Sequence, residues 1–315
     1  MLPDELVFVT DGRYRDQSAE QLAAAGVQAR VEVSATEQQA ILTKAASGIR
    51  RLGLEADDVS WAAQRRYATE GFPDAELVPT EGLVEALRLV KDDGEIARIE
   101  AAARIADDAL AEVRPRLGDG PTEREFQLEL DATMRRLGAH DVSFETNVAS
   151  GPNGAKPHHR PASRRIVEGD LVVLDFGALL DGYHSDMSRT VMVGEPSPTQ
   201  TRMLEVVGAA QSAGVDAVGP GIGGVDVDRV CRDVIADAGW GDAFLHGTGH
   251  GVGLDIHEDP RVSSASTATL AAGHVVTVEP GVYLPEHGGV RVEDTLVVTP
   301  TGSRRLTNAP KDPTL

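Results

Sequence analysis

The sequence predicts an α+β protein in two parts, a small α/β unit followed by a larger one, and three observations carry that prediction. A proline-and-glycine break at Pro79-Thr80-Glu81-Gly82 divides the chain, four long helical patterns follow it, and two strand signals of one design, each ending on a carboxylate, stand about a hundred residues apart. A chain of 315 residues has the length for about two domains, which places 1–82 in the small unit and 83–315 in the large one.

The small unit opens with one apolar run, Leu6-Val7-Phe8-Val9-Thr10, read as a strand, and continues in alanine-rich segments around 17–25, 36–50 and 57–70, read as helices. Beyond the break, Ile96, Ile99, Ala103, Ala106, Leu110 and Val113 recur at alternating steps of three and four, which sets them on one side of a long helix. Thr122 opens the next helix: its hydroxyl can cap the first turn while Glu125 reaches back, and Phe126, Leu130, Met134 and Leu137 line the side expected to be buried. Further helices are expected over 199–218 and 226–238, the second with Val227, Val230, Cys231, Val234 and Ile235 as its apolar stripe. Between them, Gly219-Pro-Gly221-Ile-Gly-Gly224 spells the dinucleotide pattern G-x-G-x-x-G. That fingerprint needs a strand before it, and here a helix precedes it, so the stretch is read as a helix–helix connection. Cys231 is the single cysteine; it cannot form an internal disulfide and is read as a small buried apolar residue.

Composition excludes several classes of function. Fifty acidic against thirty basic residues give a formal charge of −20, a field that repels polyphosphate and anionic lipid, so nucleic acid is not an expected partner. The opening Met1-Leu2-Pro3-Asp4-Glu5 has neither a basic n-region nor an apolar h-region, and no stretch reaches the roughly 18 apolar residues that span a bilayer. The expectation is a cytoplasmic protein with no membrane association.

The chemistry is concentrated in the two strand signals. Gly169-Asp-Leu-Val-Val-Leu-Asp175-Phe-Gly177 and Gly273-His-Val-Val-Thr-Val-Glu279-Pro-Gly281 share a glycine, a strand, a terminal carboxylate and a glycine two residues on, as if the large unit were built from two related halves. A second carboxylate follows each within the span of a short hairpin, Asp186 after Asp175 and Glu293 after Glu279. Four carboxylates converging from strands repel one another unless a cation lies among them, and two divalent ions about 3.5–4 Å apart are a common solution. A histidine ligand is expected from His246-Gly-Thr-Gly-His250-Gly-Val-Gly-Leu-Asp-Ile-His257-Glu258, where glycines let the backbone approach a crowded centre and one segment delivers three histidines. Oxygen-rich ligation with one imidazole suits Mn²⁺, Co²⁺ or Zn²⁺. His158, in Gly151-Pro-Asn-Gly-Ala-Lys-Pro-His158-His159, is a further candidate, whereas its neighbour His159 is expected to face solvent. Asp175-Phe-Gly also spells the magnesium motif of kinases, but no catalytic-loop triplet or glycine-rich phosphate loop accompanies it.

Five blocks of the large unit resemble, in order, the signatures of the pita-bread metallopeptidases, a group that includes creatinase, prolidase, aminopeptidase P and methionine aminopeptidase. They are Leu174-Asp175-Phe-Gly-Ala-Leu-Leu-Asp-Gly-Tyr183, its continuation through Asp186 to Arg189-Thr190, His246-Gly-Thr-Gly-His250-Gly, Val278-Glu279-Pro-Gly-Val-Tyr283 and Val290-Arg291-Val-Glu293-Asp294. The resemblance spans about residues 85–310 and implies a pita-bread catalytic domain. It further implies that Asp175, Asp186, His250, Glu279 and Glu293 ligate two divalent ions, Mn²⁺ foremost, with Asp186 and Glu293 bridging them. By the same resemblance Glu279 takes a proton from the water that the ions share, and His246 and His257 hold the substrate and stabilise the tetrahedral intermediate. His158 matches a histidine of prolidase-like members, and Arg291 an arginine behind the last ligand.

At the front, Val9-Thr10-Asp11-Gly12-Arg13-Tyr14 resembles a late strand of the creatinase-type N-terminal domain, so the first unit is read as a shortened version of it. Methionine aminopeptidase lacks such a domain, which leaves cleavage of Xaa-Pro bonds as the implied activity on peptides with proline in second position. Between an aminopeptidase acting on longer peptides and a dipeptidase, the shortened front unit favours the aminopeptidase, because it should leave the cleft more open. A metal-free binding module or a creatinase-like hydrolase would each have lost metal ligands, and all five are present. A homodimer is expected by analogy.

Overall fold

Short segments of the front unit form strands that pair in parallel, each pair spanned by a helix. In the computed structural model, which describes residues 5–315, β1 (Val7–Thr10) pairs with β2 (Arg30–Val33) across α1 (Arg15–Ala24). Strand β3 (Arg51–Glu55) pairs with β4 (Glu76–Thr80) across α3 (Trp61–Arg66), and α2 (Gln38–Ala45) joins the two pairs. The helix expected over 36–50 stops at Ala45, with Ala46 as its C-cap, and Gly48, at a positive φ of 85°, lies in the turn that leads into β3. Strands β2, β3 and β4 were not expected. The chain divides into two units, Met1–Leu83 and Val84–Leu315.

The second unit starts with a short helix, α4 (Leu83–Arg88), that crosses this division. It then runs twice through one plan of two helices followed by strands, three of which form a matching antiparallel arrangement in each pass. In the first pass the helices are α5 (Asp93–Val113) and α6 (Glu123–Arg136). The strands are β5 (Asp141–Val142), β6 (Asn147–Ser150), β7 (Leu171–Phe176), β8 (Ala178–Leu180), β9 (Tyr183–His184) and β10 (Met187–Met192), of which β10-β7-β6 make one antiparallel sheet. The second pass has α7 (Pro198–Ala217) and α8 (Gly224–Asp237), then β11 (Gly249–Gly251), β12 (Glu258–Val262), β13 (Val275–Val278), β14 (Gly281–Leu284), β15 (Gly288–Arg291), β16 (Asp294–Thr299) and β17 (Gly302–Arg305). Here the sheet order is β12-β11-β13-β16-β17, so β16-β13-β11 repeats the arrangement of β10-β7-β6.

Local chemistry fixes the helices. Thr122 Oγ1 accepts from Glu125 N at 3.1 Å while Glu125 Oε2 accepts from Thr122 N at 2.8 Å, the reciprocal cap that the sequence indicated. Phe126, Leu130 and Met134 are fully buried with Leu174 and Phe176 of β7, whereas Leu137 sits at the C-cap on the edge of that core, 36% exposed. A second core joins Met203 and Val207 of α7, Val227, Cys231 and Ile235 of α8, and Val276 and Val278 of β13. Gly219 to Gly224 connects α7 to α8. Cys231 is buried, its Sγ 3.3 Å from the Ala210 carbonyl, and burial pushes its thiol up to about 12.

Candidate metal centre

The repeated plan places carboxylates at matching strand ends. Asp175 lies near the end of β7 and Asp186 just before β10, in a register that sets Phe176 opposite Met187; Glu279 follows β13 and Glu293 precedes β16, with Val278 opposite Asp294. The chain between each pair is itself a small hairpin, β8–β9 in one half and β14–β15 in the other. The four carboxylates therefore come from two antiparallel strand pairs, each with its hairpin folded out between the partners.

Between β13 and β12 runs β11, which carries His250 between two glycines. A Cβ on Gly249 would lie 2.0 Å from the Thr277 carbonyl oxygen, so a side chain there would push β11 off β13 and His250 out of reach of the carboxylates. His250 Nδ1 lies 3.0 Å from the Gly251 carbonyl, which orients the ring with Nε2 toward the carboxylates. That Nε2 is 3.3 Å from Glu279 Oε1 and 3.5 Å from Asp186 Oδ2. Asp186, His250 and Glu293 each present a ligand atom within 4.8 Å of the others.

The electrostatics of this cluster call for a cation. Burial, then the charges of neighbouring carboxylates, pushes Asp186 and Glu293 well above the usual carboxylate range; Asp175 is raised by burial against the opposing pull of Arg291. Burial acts to raise Glu279 too, but the hydrogen bond and charge of His250, with His246 and Arg291 behind, hold it at about 2. Asp186 Oδ1 and Glu293 Oε1 are buried with no hydrogen-bond partner. Two orphaned carboxylate oxygens beside the His250 imidazole form an oxygen-rich donor set that fits divalent ions and is otherwise unfavourable to bury.

Around the cluster lies a single network. Buried Arg291 donates to Asp175 Oδ2 at 2.6 Å, to Tyr283 Oη at 2.8 Å and, through Nε, to Ser188 Oγ at 2.9 Å; Ser188 in turn donates to Glu293 Oε2 at 2.7 Å. Tyr283 Oη is also 2.8 Å from His246 Nε2, while His246 Nδ1 is 2.8 Å from the Gly247 carbonyl. One proton arrangement satisfies all of these: Arg291 donates to Tyr283, Tyr283 to His246 Nε2, and His246 Nδ1 to its neighbour's carbonyl. Burial lowers His246, consistent with a neutral ring. The His257 ring stands edge-on to His250 with centroids 4.3 Å apart, and burial followed by the charge of His250 lowers it as well.

All nine residues singled out from the sequence, Asp175, Asp186, His250, Glu279, Glu293, His246, His257, His158 and Arg291, line one pocket of about 520 Å³. His158 is exposed at its wall, and its ring has no hydrogen bond among the described residues. His159 does not face solvent: its side chain is 11% exposed, with Nε2 2.8 Å from the fully buried carboxylate of Glu123. The reason is that the loop tucks this ring against the first turn of α6. Three residues of the surroundings escaped sequence reasoning. Tyr283 stood inside a quoted block without a role. Arg261 lines the pocket four residues beyond His257, a spacing that could have drawn notice on a strand next to a histidine-rich segment. Glu123 was passed over because the capping pattern around it drew attention to Thr122 and Glu125.

Known proteins are similar to this chain over most of its length. The model of metallopeptidase family M24 matches residues 97–300, and that of the creatinase/prolidase N-terminal domain matches residues 2–90. An Xaa-Pro dipeptidase of Pyrococcus horikoshii is 39% identical over 269 residues, 85% of this chain and 76% of the relative. Among solved structures, an Xaa-Pro dipeptidase from Bacillus anthracis superposes with a TM-score of 0.94 at 40% identity, covering 98% of this chain and 86% of that one. An X-Pro aminopeptidase from Thermotoga maritima superposes with a TM-score of 0.91 at 33% identity, covering 98% and 87%. The fold, the carboxylate–histidine cluster and these matches agree: the chain belongs to metallopeptidase family M24, with its pita-bread catalytic fold and a creatinase/prolidase N-terminal domain.

Proposed function

We propose that this chain is a dinuclear-metal Xaa-Pro dipeptidase, a prolidase-type hydrolase, with Asp175, Asp186, His250, Glu279 and Glu293 as ligands of the ions. The sequence alone favoured an aminopeptidase, on the argument that a short front unit leaves an open cleft. That argument does not discriminate, because a dipeptidase and an aminopeptidase are matched over 86% and 87% of their own lengths by the same 98% of this chain. The dipeptidase names among the relatives support the other reading.

The observation that carries it is a charge. A dipeptide differs from a longer substrate by a free carboxylate beside the proline ring, and recognising it needs a cation that is not already neutralised. Three arginines line the pocket: Arg291 is paired with Asp175 at 2.6 Å and Arg160 with Glu145 at 3.3 Å, whereas Arg261 has no ion-pair partner among the described residues. Arg261 is the group for the dipeptide carboxylate.

Two divalent ions at this site supply an acidified water usable as hydroxide near neutral pH and polarise the scissile carbonyl. Glu279, ionised throughout the neutral range, takes the proton of the attacking water and delivers it to the departing proline nitrogen. His257 stabilises the developing oxyanion, His246, neutral and with both ring nitrogens engaged by Tyr283 and the Gly247 carbonyl, forms a fixed wall that holds the substrate, and His158 holds the substrate from another part of the pocket lining. Arg291 fixes Asp175 and, through Ser188, Glu293. Mn²⁺ as the native metal, a cytoplasmic site of action and a homodimer belong to the same reading; among the described residues no helix is long and apolar enough to cross a membrane.

Replacing Arg261 by Gln tests the assignment. KM for an Xaa-Pro dipeptide should rise about 10- to 100-fold, the worth of one charge-assisted pair. The same dipeptide with an amidated C-terminus should be cleaved equally by both forms. An unchanged KM for the free dipeptide would remove Arg261 from this role.

A further inference from the structure

Glu123 is the first residue of α6, fully buried, and every polar contact of its carboxylate is with the loop that carries His158. Oε1 accepts from Ser150 N at 2.9 Å, Ser150 Oγ at 2.7 Å and Asn153 Nδ2 at 3.0 Å. Oε2 accepts from His159 at 2.8 Å, Ala162 N at 3.1 Å and Asn153 Nδ2 at 3.2 Å. One anion thus closes a loop of a dozen residues at its start, middle and end, placed where the N-terminus of a helix favours negative charge. Burial acts to raise the Glu123 carboxyl, but these hydrogen bonds outweigh it and lower the group, so it stays ionised.

The consequence falls on His158. Its neighbour on one side, Pro157, has its carbonyl held by Asn147 Nδ2 at 3.1 Å, on a strand where Asn147 lies opposite Asp175. Its neighbour on the other side, His159, is held by Glu123. His158 is therefore a side chain without hydrogen bonds of its own, suspended between two pinned residues at the wall of the metal pocket. We infer that Glu123 is a positioning residue for catalysis, fixing His158 against the substrate through the loop 150–162. The inference rests on the peptidase reading above.

Glu123→Gln keeps shape but removes the charge and, on either side, sets an amide NH₂ against Asn153 Nδ2 and a backbone N–H, of Ser150 or of Ala162, which can only donate, so part of the anchorage is lost. In the metal-loaded protein, backbone amide exchange over 150–162 should accelerate at least about tenfold with the rest of the unit and the bound metal unchanged. Activity, as kcat/KM on an Xaa-Pro substrate, should fall about 10- to 100-fold. The decisive readout is the double variant: Glu123→Gln combined with His158→Ala should be no slower than His158→Ala alone, to within about twofold. Losses that multiply, or exchange in 150–162 that matches the parent protein, would overturn the inference. If the parent protein cleaves no Xaa-Pro substrate, the peptidase reading fails on that result, and the exchange experiment alone decides whether Glu123 anchors the loop. Should Glu123→Gln not fold, Asn153→Ala removes one donor from the same carboxylate and should give a smaller loss with the same non-additivity; additive losses there would overturn the inference as well.

Discussion

Replacing Asp186 with alanine is expected to abolish peptide cleavage while leaving the fold intact. Asp186 is one of three residues whose ligand atoms converge within 4.8 Å, and its Oδ1 is buried without a partner. Loss of this proposed ligand would remove ion stabilisation of the transition state worth several kcal/mol, so a fall in kcat of about 10³-fold or more is expected. Stability should respond in the opposite sense to that of most buried polar residues. Without metal, Asp186 is a carboxylate buried among Asp175, Glu279 and Glu293, and its charge is opposed by all three. The metal-free variant should therefore melt no lower than the metal-free parent, while the rise in melting temperature on adding Mn²⁺ should shrink or vanish. A variant with full activity would remove Asp186 from the ligand set.

The second large effect is on stability against pH. Asp186 and Glu293 have folded-state values well above those of the unfolded chain, through burial and then mutual charge. The native metal-free state thus binds more protons than the unfolded state above the unfolded carboxylate range, and the linkage relation makes stability fall as pH rises through that interval. After chelation, the melting temperature of the catalytic unit should decline as pH rises above the unfolded carboxylate range of about pH 4–5. Divalent metal at a hundredfold excess over its dissociation constant should add about 2.7 kcal/mol per site, or about 5–10 °C for a unit of this size, and flatten the slope. A metal-free protein whose stability rises over that interval, or one indifferent to Mn²⁺, would contradict the cation site.

Much of this was legible before the structure because its signals are local. Thr122 and Glu125 cap a helix by themselves, and a glycine-flanked histidine between two strands declares a close approach of backbones. The doubled carboxylate pattern was legible too, since a strand ending on Asp175 and another ending on Glu279 report the same plan twice. What escaped was non-local. Strand β3, Arg51-Leu-Gly-Leu-Glu55, is stabilised by a parallel partner a helix away and contains a glycine and two charges, and β4 contains Pro79; neither has the apolar continuity that marks a strand in sequence. His159 looked like a loop histidine because its partner, Glu123, lies 36 residues earlier. Arg261 stood out only when Arg160 and Arg291 were seen to be neutralised by acids that no sequence pattern assigns to them.

The central claim is tested most directly by incubating the Mn²⁺-loaded protein with an Xaa-Pro dipeptide and an Xaa-Pro-led pentapeptide and identifying the products by mass spectrometry. Cleavage of the dipeptide with the pentapeptide left intact is the predicted result. Release of the first residue from the pentapeptide would contradict the dipeptidase assignment in favour of an aminopeptidase, and cleavage of neither would contradict the peptidase reading itself.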